Sequence, residues 1–223
     1  MSALTFAERP PAGGAASGLL VLHHGRGTDE HDLLSLGDAL DPHGRLHVIT
    51  PRAPQRLPGS PGYHWYVVPR VGYPDPATFH ASYASLAELH DELWQRSGLG
   101  PEHTVLGGFS MGAVMSYALG LGGDRPPPAG VMAFSGFIPV VEGWQAHTGD
   151  RTALRVLIAH GRDDPVIAAD FARRARAQLT AASLRVEYHE SPAGHEIIPA
   201  HIPPARAWLA ELTGAHRLPS QQR

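Results

Sequence analysis

Apolar runs recur along the chain, each about one strand long and closed by turn residues. Leu19-Leu20-Val21-Leu22 is the first clear run and ends at His23-His24-Gly25, and Leu46 to Thr50 is stopped by Pro51. Val105 to Phe109, Val131 to Ser135, Arg155 to Ala159 and Leu184 to Tyr188 follow. Leu4 to Glu8 offers an edge strand, joined through the turn-rich Pro10 to Ser17. Between these runs the period changes. Thr78 to Arg96 carries Phe79, Tyr83, Leu86, Leu89 and Leu93 along one helical stripe. Met111 to Leu121 is apolar all round, as a helix buried against a sheet must be. Ile167, Phe171, Ala175 and Leu179 form a third stripe behind Asp164-Pro165, a pair that reads as an N-cap with Pro at the first helical position. Ala205 to Leu212 predicts a short last helix with Trp208 and Leu209 to bury.

Strands alternating with helices predict an α/β fold, a mainly parallel central sheet with helices on both faces. The Pro- and Gly-rich segments Pro51 to Pro76 and Gly122 to Gly130 read as irregular. With no repeat and no linker, residues 1–223 read as one domain.

Composition narrows the chemistry. At 223 residues and 43% hydrophobic, the chain can bury a core without disulfide or metal. A net charge of −3 argues against a nucleic-acid partner held by a basic surface. There is no Cys, no Lys and no Asn. That excludes thiolate nucleophiles and zinc thiolates, a P-loop, a pyridoxal Schiff base and a Ser–Lys dyad. No apolar run is long enough for stable membrane insertion. Met1 to Phe6 lacks a charged region leading into an apolar core, so a cytoplasmic protein is expected.

Gly108-Phe109-Ser110-Met111-Gly112 fits G-x-S-x-G between a predicted strand and a predicted buried helix. A sharp strand-to-helix turn at that point lifts a serine hydroxyl above the sheet, and glycines permit the close approach. Two further loops follow strand ends: His160-Gly161-Arg162-Asp163-Asp164-Pro165 and Ala193-Gly194-His195-Glu196. Nucleophile Ser110, acid Asp164 and base His195 stand in the chain order of an α/β-hydrolase triad. Asp163 is the rival acid, and the capping position favours Asp164. Backbone amides of Met111, after the nucleophile, and Arg26, in His24-Gly25-Arg26-Gly27, are the candidate oxyanion hole.

These four motifs, in this order from about Leu19 to Leu212, resemble the carboxylesterase/phospholipase family of α/β-hydrolases, which includes acyl-protein thioesterases and small bacterial esterases. The resemblance implies the triad Ser110, Asp164 and His195 with the Arg26 and Met111 amides as oxyanion hole. It also implies a substrate-binding Trp in the long loop after the second clear strand, for which Trp65 is the candidate. Many members have Gln-Gly-Gly after the nucleophile, where this chain has Met111-Gly112-Ala113, a change that bears on pocket shape and not on the backbone donor. The Arg26 side chain offers a partner for an anionic group on the substrate.

The expected activity is hydrolysis of short- to medium-chain carboxylic esters through an acyl-enzyme, acting on a small-molecule ester without cofactor or metal. Thioester or lysophospholipid cleavage would use the same triad, and a non-catalytic binding protein of this fold is the alternative from another class. His195-Glu196 with His201 does not make H-E-x-x-H, and Pro199 interrupts the helix that motif needs. The short Gly136 to Ala153 segment predicts a site without a helical cap.

Overall fold

A computed structural model describes residues 4–214. The first three residues of the opening stretch inspected for a targeting signal lie outside it. In chain order the elements are β1 (Phe6–Arg9), β2 (Leu19–His23), α1 (Leu34–Leu40), β3 (His47–Pro51), β4 (Gln55–Arg56), β5 (Tyr63–His64) and α2 (Pro76–Ser97). They continue as β6 (Thr104–Phe109), α3 (Met111–Leu121), β7 (Gly130–Phe134), β8 (Arg155–Gly161), α4 (Asp170–Ala181), β9 (Arg185–Ser191) and α5 (Ile202–Leu212).

Seven strands form one sheet in the order β1-β3-β2-β6-β7-β8-β9. All neighbours are parallel except β1, which runs antiparallel to β3 along the edge. Side chains alternate across the sheet as strand geometry requires. Leu19 and Val21 of β2 join the core beneath α2 and α3, whereas Leu20 and Leu22 join the core with α1 and α5. Each such buried leucine stabilises the fold by about 1.5–3 kcal/mol relative to exposure. The chain moves outward from β2 to β3, then crosses back to β6 on the other side of β2. That reversal opens a crevice at the carboxyl ends of β2 and β6, where open α/β sheets hold their ligands.

The helices follow the sequence signals with two exceptions. Asp75 caps α2 through its side chain, which accepts from the Thr78 amide at 2.9 Å, and Gly98 ends the helix at φ 70°. Every residue of α3 is buried. The short α1 went unpredicted because seven residues carry too few periods to read, and no side chain caps its start. It packs so closely on β3 that a Cβ on Gly37 would lie 2.7 Å from Val48.

The second exception is α4, which begins at Asp170 and not directly behind Asp164-Pro165. Asp164 does accept two amides as a cap would, from Val166 and Ile167, both at 2.8 Å. However, His160 Nε2–H donates to the Ile167 carbonyl at 2.8 Å and takes the acceptor a helix would need. The Phe171 amide turns to Ala168 instead, and regular helix waits until Asp170.

Between β7 and β8, residues 135–154 form turns, bends and isolated bridges with no helix, so among the described residues this segment builds no helical cap over the carboxyl edge of the sheet. Among the described residues no helix is long and apolar enough to cross a membrane.

Candidate active site

Ser110 is the single residue between β6 and α3, at φ 54° and ψ −118°. A non-glycine residue in that region stores about 1–3 kcal/mol of strain, which the surrounding structure must hold. Its amide donates to the Phe134 carbonyl at 2.9 Å and its carbonyl accepts from Val114 at 3.2 Å. The flanking glycines are a steric necessity. A Cβ on Gly108 would sit 2.5 Å from the Gly112 carbonyl carbon, and one on Gly112 would sit 1.9 Å from the His23 carbonyl oxygen. The G-x-S-x-G spacing therefore lets the start of α3 press against the end of β2.

Two loops bring the partners. Arg162 and Asp163 amides donate to the Ser191 and Ala193 carbonyls at 2.7 and 3.0 Å, lacing the loop after β8 to the loop after β9. Gly161 allows this closeness, since a Cβ there would lie 2.1 Å from the Gly194 carbonyl oxygen. His195 Nδ1 then lies 2.7 Å from Asp164 Oδ2, and His195 Nε2 lies 2.8 Å from Ser110 Oγ. A carboxylate can only accept, so Nδ1 carries the hydrogen and Nε2 is left to accept the serine proton.

The Asp164 side chain is 0% exposed and that of His195 17%. Burial alone would raise the Asp164 pKa. The hydrogen bonds from His195 and from the Ile167 and Val166 amides outweigh it and hold the carboxylate ionised below its usual range. Asp163 is exposed, with its carboxylate 4.0 Å from Arg162. The geometry thus brings Ser110, Asp164 and His195 together and leaves Asp163 outside.

The loop after β2 faces this trio. His24 is buried and spans the loop's base: its Nδ1–H donates to the Gly25 carbonyl at 2.6 Å and its Nε2 accepts from the Ala53 amide at 3.0 Å. Gly27 and Thr28 pair with Tyr63 through two bonds of 2.8 Å. Met111 is the first residue of α3, so its amide has no partner within the helix. Among the described residues neither the Met111 nor the Arg26 amide donates to a protein acceptor. Both residues line the cleft beside Ser110, and backbone donors so placed are what a developing oxyanion requires.

Trp65 does not contact the cleft. It is 0% exposed, its Nε1–H donates to the His24 carbonyl at 2.9 Å, and its ring centroid lies 5.2 Å from that of His24. The residue that the resemblance offered for substrate binding is thus placed behind the cleft wall, where its indole N–H finds a buried acceptor in the loop that carries Arg26.

The cleft itself measures about 470 Å³ and is lined by Ser110, His195, Met111 and Arg26 with apolar walls that include Tyr66, Val68, Phe137 and Ile167. The Phe109 ring packs against that of His195 at a tilt of 40°, with centroids 4.9 Å apart. Among the described residues no group of three or more His, Asp or Glu is placed to hold a metal ion. His201 is instead bonded to Ser191 Oγ at 3.0 Å.

Residues 10–212 match the Phospholipase/Carboxylesterase family, a span that takes in every loop just described. The chain belongs to that family. Acyl-protein thioesterase 1 of Mycosarcoma maydis is 32% identical over 120 residues, covering 51% of this chain and 50% of that protein. The chain is thus matched to only about half the length of that curated relative. Among solved structures, esterase PE8 is 30% identical with a TM-score of 0.78, covering 94% of this chain and 99% of that one. The Bacillus cereus carboxylesterase has a TM-score of 0.82 at 22% identity, covering 95% of each chain, a likeness of fold.

In this phospholipase/carboxylesterase family member the residues that sequence reasoning missed are supports. His24, Thr28 and Tyr63 fix the Arg26 loop, and His160 fixes the Asp164 loop. His24 and His160 lie inside the recognised motifs, but periodicity carries no information on which way a buried imidazole turns. Tyr63 lies in the segment read as irregular, where β4 and β5 form a small hairpin against the loop.

Proposed function

We propose that the protein is a serine carboxylester hydrolase working through an acyl-enzyme. The observation that supports this is the unbroken chain from Asp164 through His195 to Ser110, with bonds of 2.7 and 2.8 Å, opening on a cleft. In this reading Ser110 Oγ attacks the ester carbonyl carbon while its proton passes to His195 Nε2. The carbonyl π electrons move onto oxygen, and the Arg26 and Met111 amides stabilise that charge. A single such donor is worth about 3–4 kcal/mol. Collapse expels the alcohol oxygen, which takes the proton from His195. Water then attacks the acyl-enzyme with His195 again as base, releasing the acid and restoring Ser110.

Asp164 stays ionised throughout, holding the imidazole tautomer and stabilising the imidazolium. Short- to medium-chain acyl groups are the proposed substrates, since a cleft of about 470 Å³ with apolar walls has room for them. A thioester is the second reading, favoured by the match to acyl-protein thioesterase 1. The test is hydrolysis of p-nitrophenyl esters from acetate to palmitate by wild type and Ser110→Ala. A chain-length optimum with the variant down by a factor on the order of 10⁶ supports the proposal. Inert wild type, or a variant that keeps its rate, overturns it.

A further inference from the structure

We infer that the substrate of this cleft carries a carboxylate, read by Arg26 and Arg70; the inference rests on the serine-hydrolase reading above. Both arginines line the cleft with Ser110 and His195, and no Asp or Glu is among the lining residues. Both are exposed, in a protein whose net charge is −3. Several other arginines answer to acids, as Arg52 does to Glu30, Arg125 to Asp91, Arg155 to Glu211 and Arg173 to Glu190; what sets Arg26 and Arg70 apart is that they stand together beside Ser110 in a cleft without an acid.

Among the described residues the Arg26 and Arg70 guanidinium groups meet no carboxylate. Nearby acids are already engaged. Asp29 accepts the His31 amide, Glu30 holds Arg52, Asp32 accepts from Thr28, and Asp75 caps α2. Asp164, the acid nearest the reacting groups, spends both oxygens on His195 and the turn amides.

Arg70 is also held in place. Its guanidinium lies over the Tyr73 ring at 3.8 Å, so its face is occupied while its N–H edge meets no acceptor among the described residues. A planar guanidinium with a free edge suits the two oxygens of a carboxylate. Beside these cations stand Val68, Val71 and Val166, all on the cleft and all exposed. The combination fits an ester with an apolar stretch between its scissile carbonyl and its acidic group, such as a half-ester of a dicarboxylic acid.

The experiment compares mono(4-nitrophenyl) adipate with 4-nitrophenyl hexanoate, which share a six-carbon acyl chain and a leaving group. The readout is the ratio of their kcat/KM within each variant, so that any change in the oxyanion hole cancels. Wild type should prefer the adipate by about ten-fold, about three-fold from each solvent-exposed cation, with the preference shrinking at high salt. Arg26→Gln/Arg70→Gln should bring the ratio near unity, and Arg70→Glu should carry it below the Arg70→Gln value. Equal ratios in wild type and the double variant, with both esters hydrolysed, overturn the carboxylate inference and leave the hydrolase reading intact. Hydrolysis of neither ester by wild type overturns both.

Discussion

Replacing Gly112 by Ala places a methyl carbon 1.9 Å from the His23 carbonyl oxygen, 2.4 Å from its carbon and 2.6 Å from the His24 carbonyl oxygen. All three are backbone atoms, so no rotamer change can relieve the overlap. Since a methyl carbon does not approach unbonded backbone closer than 3.0 Å, helix α3 and the end of β2 must part by at least 1.1 Å, the difference between 3.0 and 1.9 Å. That movement separates the Arg26 amide from Ser110 and the Met111 amide, which belong to the opposite side of the contact. A misplacement of about 1 Å typically costs on the order of 10² in rate, and forced overpacking about 1–3 kcal/mol of stability.

Urea melts measure the stability loss, and kcat with p-nitrophenyl butyrate, normalised to the folded fraction, measures the rate. Gly112→Ala should lower kcat on the order of 100-fold while the variant remains folded. If it keeps both wild-type rate and wild-type stability, β2 and α3 are not in the contact described, and the mechanical account of the motif fails.

Other substitutions test the roles proposed for these residues. Asp164→Asn should cut kcat by about 10⁴, because the amide can no longer hold the required imidazole tautomer, whereas Asp163→Asn should leave the rate near wild type; the opposite pattern would return the rival acid. Trp65→Phe removes the indole donor to the His24 carbonyl and should lower kcat without moving the acyl chain-length optimum; a shifted optimum would show that the ring meets the acyl chain. The pH dependence of stability follows from His23 and His90, whose rings lie 5.8 Å apart in the core. Burial, helped by the neighbouring His90 and His24 imidazoles at His23 and by the Arg125 guanidinium at His90, holds both below the ordinary 6.5, with His90 at about 3. The unfolded chain therefore takes up these protons first, so stability is complete above about pH 6.5 and declines as pH falls toward 3. Each histidine steepens that decline by about 1.4 kcal/mol per pH unit, and His90→Phe should flatten it in urea melts; an unchanged slope would place His90 in contact with water.

Much of the frame was legible because it rests on local pattern. The seven strands of the sheet lie where apolar runs of strand length predicted them, and α3 spans the predicted Met111–Leu121. The elbow serine was legible because the G-x-S-x-G spacing is a steric demand written directly in residue types. The start of α4 was not, since the Asp164-Pro165 signal is real but a histidine on β8 captures the Ile167 carbonyl first. Nor was the role of Trp65, because a tryptophan near a site reads the same whether its ring meets substrate or its N–H holds a loop.

What the sequence determined by itself is the α/β class, the burial of α3, and the chain order of a serine, an acid and a histidine on loops after strands. Each of these follows from periodicity, turn chemistry or residue size, which act between near neighbours. Only the tertiary structure decided that the loops after β8 and β9 are laced together, that Asp164 and not Asp163 reaches His195, and that Arg26 and Arg70 share one cleft without an acid. Those facts depend on residues 29 to 85 positions apart meeting within hydrogen-bond distance, or on which charges the fold gathers around one cleft. Pairing at that range is set by packing of the whole sheet and leaves no period in the sequence.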